Sequence, residues 1–348
     1  SERATAGVRS IKTCRMYIDK TLDFKEDLSS KYMVFLGRNK KLAVAQKSVA
    51  AALFPGYGVK LIDFSTLRQE KFINTSNKQL TDFSIDSNES FIVTTSRDAT
   101  CKMINLASAV SASSFAPHAA VPLWSCSFDG ERPFNLYLGA QNGATYIFDT
   151  RKNNEVVMEI AEPLNPTPVK NIVPIKKNEN FPLGGFFVVH IRGIYFYEFL
   201  ASGEVASTTL NLNEPVAMIS YDERTEMLLI TKSPTVEACK QTRHALMKLV
   251  KEDGIPVLQE IFSFNGTSAA LPQQSRPAQI KVPDGLIVAS YLQDTKVIQG
   301  RVPTGTLLCE VPISDHITDI CPIYIDNVCW FGALSNSRFR VLKLNLGY

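Results

Sequence analysis

Histidine and tryptophan are scarce in this sequence, with four and two copies among 348 residues, and its seven cysteines never pair up in sequence. His118, His190, His244 and His316 lie far apart, and Cys14, Cys101, Cys126, Cys239, Cys309, Cys321 and Cys329 include no C-x-x-C. A structural zinc site needs clustered thiolate and imidazole ligands, so no metal or other cofactor is expected in this chain. The odd, scattered cysteines also make no disulfide framework, which points to a reducing intracellular compartment. Cys126, Cys321 and Cys329 sit in alternating apolar runs and read as free core thiols. Long apolar runs are missing too. The longest, Gly184 to Ala201, is broken by His190, Arg192 and Glu198, too short and too charged for a membrane span. The opening SERATAGVRSIKTCR has no apolar core, so no signal peptide is expected. Neither charge sign dominates: 37 basic against 34 acidic residues leave a formal +3, too small to select a polyanionic partner for the whole molecule.

Catalytic signatures are missing as well. There is no G-x-x-x-x-G-K-[ST], G-x-S-x-G or H-E-x-x-H. Gly56-Tyr57-Gly58 lacks a third glycine and a following helix, and reads as a Pro-Gly turn heading a strand. No catalytic residues are therefore assigned. The enzymatic alternative is a site assembled from several repeats around a channel, which a bound metal would reveal.

What is present is a repeat. With 45% hydrophobic residues the chain can build a sizeable core. A short unit, apolar-x-apolar followed by a polar residue and a turn, recurs seven times. It ends at Asp63, Asn105, Asp149, Glu198, Lys248, Gln299 and Lys343, at spacings of about 42 to 51 residues. That period, with four short strands per unit, predicts a β-propeller. The third unit is clearest. PLWSCSFD (122–129) reads as an innermost strand and FNLYLGAQ (134–141) as a second. The Gln-Asn-Gly turn (141–143) leads into ATYIFD, and VVMEI (156–160) completes the sheet. Similar hairpins are expected at Asp98 and at Arg192-Gly193. Helical composition is confined to SVAAAL (48–53).

The fold class is all-β: one seven-bladed WD-repeat β-propeller with degenerate repeats, covering residues 1–348. The blades are expected at about 30–75, 78–116, 121–160, 167–211, 214–264, 277–313 and 316–345. An N-terminal strand at 11–19 supplies the outer strand of the last blade and closes the ring, removing open edges. The Trp-Asp and Gly-His dipeptides of regular repeats are never spelled out. Their hydrogen-bond network is expected to survive only around Asp98 and Asp149, with packing of Val, Ile, Leu and Phe between blades carrying stability. Ser233–Gln241 reads as a lengthened hairpin of blade five, and Asn265–Arg276 as a mobile connection to blade six. Phe54 and Tyr57 read as core of blade one.

In a propeller the loops joining second to third strands, and those leading into first strands, open on one face. Those loops carry Lys78, Arg97, His118, Trp124, Asn142, Arg192, Arg276 and Arg338, the candidate partner-binding residues. Arg and Trp are enriched at binding hot spots, and several arginines on one rim suit an acidic segment or phosphate. Taken singly, the arginines read more readily as solvated loop residues than as contacts, and Trp124 equally well as packing against a neighbouring blade.

Several segments, in order, carry a resemblance: FPGYGVKLID (54–63), PLWSCSFD with YLGAQNGATYIFDTR (122–151), FPLGGFFV (181–188) and ITDICPIYID (317–326). From about Tyr32 onward the chain resembles the C-terminal WD-repeat domain of the RING-finger and WD-repeat ubiquitin ligase family that acts at stressed replication forks. The resemblance implies a nuclear protein of the DNA damage response, with zinc only in a RING domain outside this chain. It implies replication protein A and the recombinase on single-stranded DNA as partners, with ubiquitin transfer performed by the RING. It implies homologous recombination and interstrand crosslink repair as the processes served. No membrane contact and no sequence-specific DNA binding are expected. The other reading is a WD-repeat scaffold subunit of an unrelated intracellular complex.

Overall fold

The computed structural model describes residues 10–49, 52–53, 55–152, 154–161, 166–212, 214–233, 241–268 and 275–348. Among these, regular structure is strand alone, arranged as seven four-stranded antiparallel sheets in a ring, a seven-bladed β-propeller. The seventh sheet takes its outer strand from the N-terminus, β1 (Thr13–Asp23). Blade one is β2 (Tyr32–Leu36), β3 (Lys41–Lys47), β4 (Tyr57–Asp63) and β5 (Gln69–Ser76). Blade two is β6 (Leu80–Ile85), β7 (Phe91–Ser96), β8 (Cys101–Asn105) and β9 (Val110–Phe115). Blade three is β10 (Leu123–Phe128), β11 (Asn135–Ala140), β12 (Ala144–Asp149) and β13 (Val156–Ala161). Blade four is β14 (Val169–Ile175), β15 (Gly185–His190), β16 (Gly193–Phe199) and β17 (Val205–Leu210). Blade five is β18 (Val216–Asp222), β19 (Met227–Lys232), β20 (Gln241–Glu252) and β21 (Ile255–Ser268). Blade six is β22 (Ala278–Val282), β23 (Gly285–Leu292), β24 (Val297–Arg301) and β25 (Leu307–Pro312). Blade seven adds β26 (Ile317–Ile325), β27 (Val328–Ser335) and β28 (Arg338–Gly347) to β1.

Each blade runs outward in chain order, so β2, β6, β10, β14, β18, β22 and β26 are innermost. The second and third strands carry nearly continuous buried runs, such as GFFVVH in β15 and ATYIFD in β12, because both faces of a blade are covered by neighbours. The outermost strands alternate, as VVMEIA does in β13, because one face meets water. Asn142-Gly143 turns β11 into β12 with Gly143 at φ 88°, a conformation glycine adopts without a Cβ clash. The apolar residues gather in seven clusters, one per seam between adjacent blades. Among the described residues the seam between blades five and six is the sparsest, with Leu229, Leu246, Phe264, Leu286 and Val288 buried.

Closure is made by β1, which pairs antiparallel with β28 from Thr13↔Gly347 to Asp23↔Arg338, with a bulge between Ile18 and Lys20. The expected strand at 11–19 is thus displaced toward the C-terminus and runs on to Asp23. Met16 drives into the core between blades six and seven, and Asp19 reaches Lys343 across the bulge at 3.3 Å. One loop expectation also changes. Asn265 to Ser268 belong to β21 rather than to a connection, because β21 continues its pairing with β20. Residues 234–240 and 269–274, with most of the other expected loop, lie outside the described residues, as do Ala50, Ala51 and Phe54 of the region around SVAAAL. Tyr57 begins β4 and is partly buried against the seam of blades one and two.

Candidate functional site at the channel mouth

The inner strands are tied to one another by a recurring Thr-Asp pair. In blade two, Thr81 Oγ1 donates to the Leu123 carbonyl at 2.9 Å, and Asp82 Oδ2 accepts from the Cys126 N–H at 3.1 Å. In blade seven, Thr318 Oγ1 donates to the Ser30 carbonyl at 3.1 Å, and Asp319 Oδ2 accepts from the Met33 N–H at 2.8 Å. Each pair grips the backbone of the next blade by one donor and one acceptor, satisfying groups that closure would otherwise leave buried and unpaired. Lys170 occupies the threonine's place in blade four and donates to the Ala217 carbonyl at 2.7 Å. These clamps hold two carboxylates on the channel wall. Asp319 is fully buried and bound by Arg276 through two 2.7 Å contacts, Nε to Oδ1 and a terminal nitrogen to Oδ2. Burial raises its carboxyl above the ordinary range while Arg276 pulls it back. Asp82 has no such partner, and burial raises it to about 6.

The channel opens into two cavities sharing Tyr32, Asp82 and Arg276 as a waist. The lower, of about 610 Å³, ends among Glu89, Asp222, Glu223 and Arg224 on the turns between first and second strands. The upper, of about 460 Å³, opens on the face of the loops that lead into the first strands. Its charged lining is Lys31, Lys170, Asp82 and Arg276, with His316 beside them. The Lys31 ammonium lies 5.1 Å from the Tyr32 ring centre, and burial, then the nearby Arg97, lower its pKa while Asp82 opposes them. Burial lowers Lys170 too. Neither lysine forms an ion pair among the described residues. Both ring nitrogens of His316 are buried with no hydrogen-bond partner among the described residues, and burial lowers its pKa, favouring the neutral imidazole. The upper mouth therefore holds two lysines, Lys31 and Lys170, without an ion pair among the described residues, and the lower end holds carboxylates with Arg224.

The eight candidate rim residues divide sharply in this frame. Arg97, on the turn after β7, is exposed and lies 5.5 Å from the Trp124 ring centre. Trp124 is half-buried in β10, with its indole N–H lacking an acceptor among the described residues. These two meet across the seam of blades two and three, next to Lys31. Arg276 and Arg338 correct the picture of solvated loop arginines. Arg276 is locked to Asp319, and Arg338 bonds Asp23 at 3.0 Å and Asp315 at 3.1 Å, fastening β1 beside β28. Lys78 is exposed, and its backbone N–H donates to Ser76, whose hydroxyl donates to Asp98 at 2.8 Å. That Ser76–Ser96–Asp98 cluster is the repeat network around Asp98; at Asp149 an ion pair with Arg151 at 2.7 Å stands instead. Asn142 is exposed and accepts from the Ala144 N–H at 3.1 Å, a turn-capping role. His118 is exposed on the connection into blade three. Arg192 lines a separate groove of about 430 Å³ between blades four and five, with Tyr195, Leu212 and Pro215.

Lys31, Asp82, Lys170 and Asp319 were missed as site residues because each, taken alone, reads as an ordinary polar residue opening a strand. The usable signal was the Thr-Asp dipeptide after an aliphatic residue, LTD at 80–82 and ITD at 317–319, at the first strand of two repeats.

The family model described as the E3 ubiquitin-protein ligase RFWD3 WD40 domain matches residues 17–343. Relatives named E3 ubiquitin-protein ligase RFWD3 from Ailuropoda melanoleuca and Homo sapiens are each 21% identical over 342 residues, 94% of this chain. The Mus musculus relative of the same name is 21% identical over 338 residues, 93% of the chain. The chain spans less than half of their length, 44%, 44% and 43% respectively. A crystal structure of the Myceliophteria thermophila Cps50 (Swd1) β-propeller domain superposes with a TM-score of 0.69 over 94% of this chain and 99% of that one. At 11% identity it shows a shared fold alone.

Proposed function

Because the chain belongs to the family of the E3 ubiquitin-protein ligase RFWD3 WD40 domain, we propose that it is the substrate-recognition propeller of a RING-type ubiquitin ligase. The match across residues 17–343 carries this reading. The propeller binds the substrate and a RING domain elsewhere in the protein positions the charged conjugating enzyme, so tethering raises the local concentration of acceptor lysines. Zinc belongs to that RING. The partners proposed are replication protein A and the recombinase on single-stranded DNA, in the nucleus, in replication-fork repair and homologous recombination. The binding face is the one that carries the channel mouth, with Arg97 and Trp124 as its anchor pair, an arginine and an indole of the kind that dominate protein interfaces.

Direct binding of the purified chain to replication protein A, with and without single-stranded DNA, tests the proposal at physiological salt. Micromolar or tighter binding without DNA is the expected result. Binding that requires DNA and falls steeply with salt would mean phosphate contacts instead. No binding in either arm would give the scaffold reading the lead.

A further inference from the structure

We propose that the upper mouth of the channel is a receptor for an acidic side chain, a carboxylate or a phosphate, inserted by a peptide segment of the bound protein. The inference rests on the substrate-recognition reading and specifies its chemistry. Lys31 and Lys170 line one cavity of about 460 Å³, and burial penalises the charge of both. Lys31 is exposed and Lys170 half-buried, neither forms an ion pair among the described residues, and an oxyanion placed between the two gains charge-assisted hydrogen bonds from both. Arg97 adds positive potential at the lip, and His316 offers two buried ring nitrogens with no partner among the described residues. Asp82 on the same wall opposes the shift of Lys31 but forms no ion pair with either lysine among the described residues.

The charge layout selects a peptide over a nucleic acid. A polyphosphate backbone needs a stripe of cations running across the face. Here Arg276 is paired with Asp319 and Arg338 with Asp23 and Asp315, and Arg192 stands apart on the groove between blades four and five, so the cations free of ion pairs form no continuous stripe across the face. A cavity of this size takes one or two side chains presented on a loop.

Fluorescence anisotropy with three labelled peptides, identical except for a central triplet of Gln, Glu or phosphoserine, tests this on the intact chain. At least one acidic peptide is expected to bind tenfold or more tightly than the Gln peptide. Glu ahead of phosphoserine identifies a carboxylate source, and the reverse a phosphorylated one. The Lys31→Gln, Lys170→Gln double variant should bring the acidic peptides to the Gln level, while Arg38→Glu, exposed on the turn between β2 and β3 at the opposite face, leaves the preference intact. Equal affinity for all three peptides overturns the proposal, as does stronger binding of a labelled oligothymidine than of either acidic peptide. If the double variant fails to fold, the wild-type peptide series still decides the matter. Replication protein A binding by a folded double variant at wild-type affinity would remove the mouth and leave the ligase reading standing. Acidic-peptide preference without replication protein A binding would do the opposite.

A second, independent observation concerns ring closure. Cys14 on β1 and Cys309 on β25 place their sulfurs 3.0 Å apart, both as free thiols. We infer that this pair is an oxidation site that staples the closing strand to blade six. A hydroperoxide oxidises the two thiols to one disulfide, each sulfur losing its hydrogen, while the peroxide is reduced to water and an alcohol, or to two waters for hydrogen peroxide. After treatment with hydrogen peroxide, a peptide map should show a reducible link between the Cys14 and Cys309 fragments and a raised thermal midpoint, with both effects absent in Cys14→Ser. Thiols at both positions that still react with maleimide after treatment would overturn it.

Discussion

At the scale of single residues, two groups titrate with opposite effects on stability, His244 within blade five and Asp82 on the channel wall. His244 is buried beside Thr231 at 2.9 Å, and burial lowers its pKa to about 4. Its unfolded value is about 6.5, so it contributes stability that is fully present above that pH and is lost as pH falls toward 4. Asp82 has the opposite sign: raised to about 6 from an unfolded value of about 3.9, it makes the folded state weaker as pH rises through that window. The two offset each other between pH 4 and 6. Denaturant titrations from pH 4 to 7 should therefore find that Asp82→Asn loses stability on acidification more steeply than wild type. His244→Gln should lose less, or gain. Parallel curves for all three proteins would contradict the assignment. Arg276→Ala should be the most damaging single change at the mouth, costing about 3–5 kcal/mol, because Asp319 is left buried without its counter-ion. A chemical denaturation midpoint shift under half of that would show the pair to be solvated.

At the scale of elements, the closing strand and the weakest seam matter most. Deleting residues 1–19 removes more than half of β1 together with Met16, whose burial alone is worth about 2 kcal/mol or more. The whole ring is expected to melt earlier and in one transition; an unchanged melting curve would sink the closure account. Among the described residues, the seam between blades five and six holds the fewest buried apolar side chains and carries polar links such as Thr225 to Gln279 at 2.8 Å. Amide hydrogen exchange should show β21 and β23 opening before β11 and β15, since local opening starts where apolar packing is thinnest. The reverse order would mean that these polar links outweigh the missing aliphatic contacts.

At the scale of the whole molecule, near-neutral net charge conceals a polar axis, with two lysines outside any ion pair among the described residues at one end of the channel and carboxylates with Arg224 at the other. Binding and stability should separate along it. Reversing Arg97 and Arg192 is expected to weaken partner binding at constant thermal midpoint, because both are exposed and neither forms an ion pair among the described residues. Arg338→Glu is expected to lower the midpoint, since it sets a third carboxylate against Asp23 and Asp315 at the strand that closes the ring. Calorimetry on the two variants reads the difference directly.

Sequence alone determined the architecture, because a propeller repeats one local pattern: alternating apolar strands, turn residues such as Asn142-Gly143, and a period near 45 residues. Those are short-range properties, and hydrophobic burial enforces them blade by blade. It also carried the seven-fold count and the need for an N-terminal strand to close the ring. The tertiary structure decided which rim charges are free. Arg276 and Arg338 look like Arg97 in the sequence, but their carboxylate partners Asp319, Asp315 and Asp23 lie from 23 to 315 positions away and meet them only in the folded blades and, for Asp23, at the closing strand. Lys31 and Lys170, 139 positions apart, face one cavity for the same reason. Electrostatic pairing depends on distance in space, which chain separation across a closed ring does not encode.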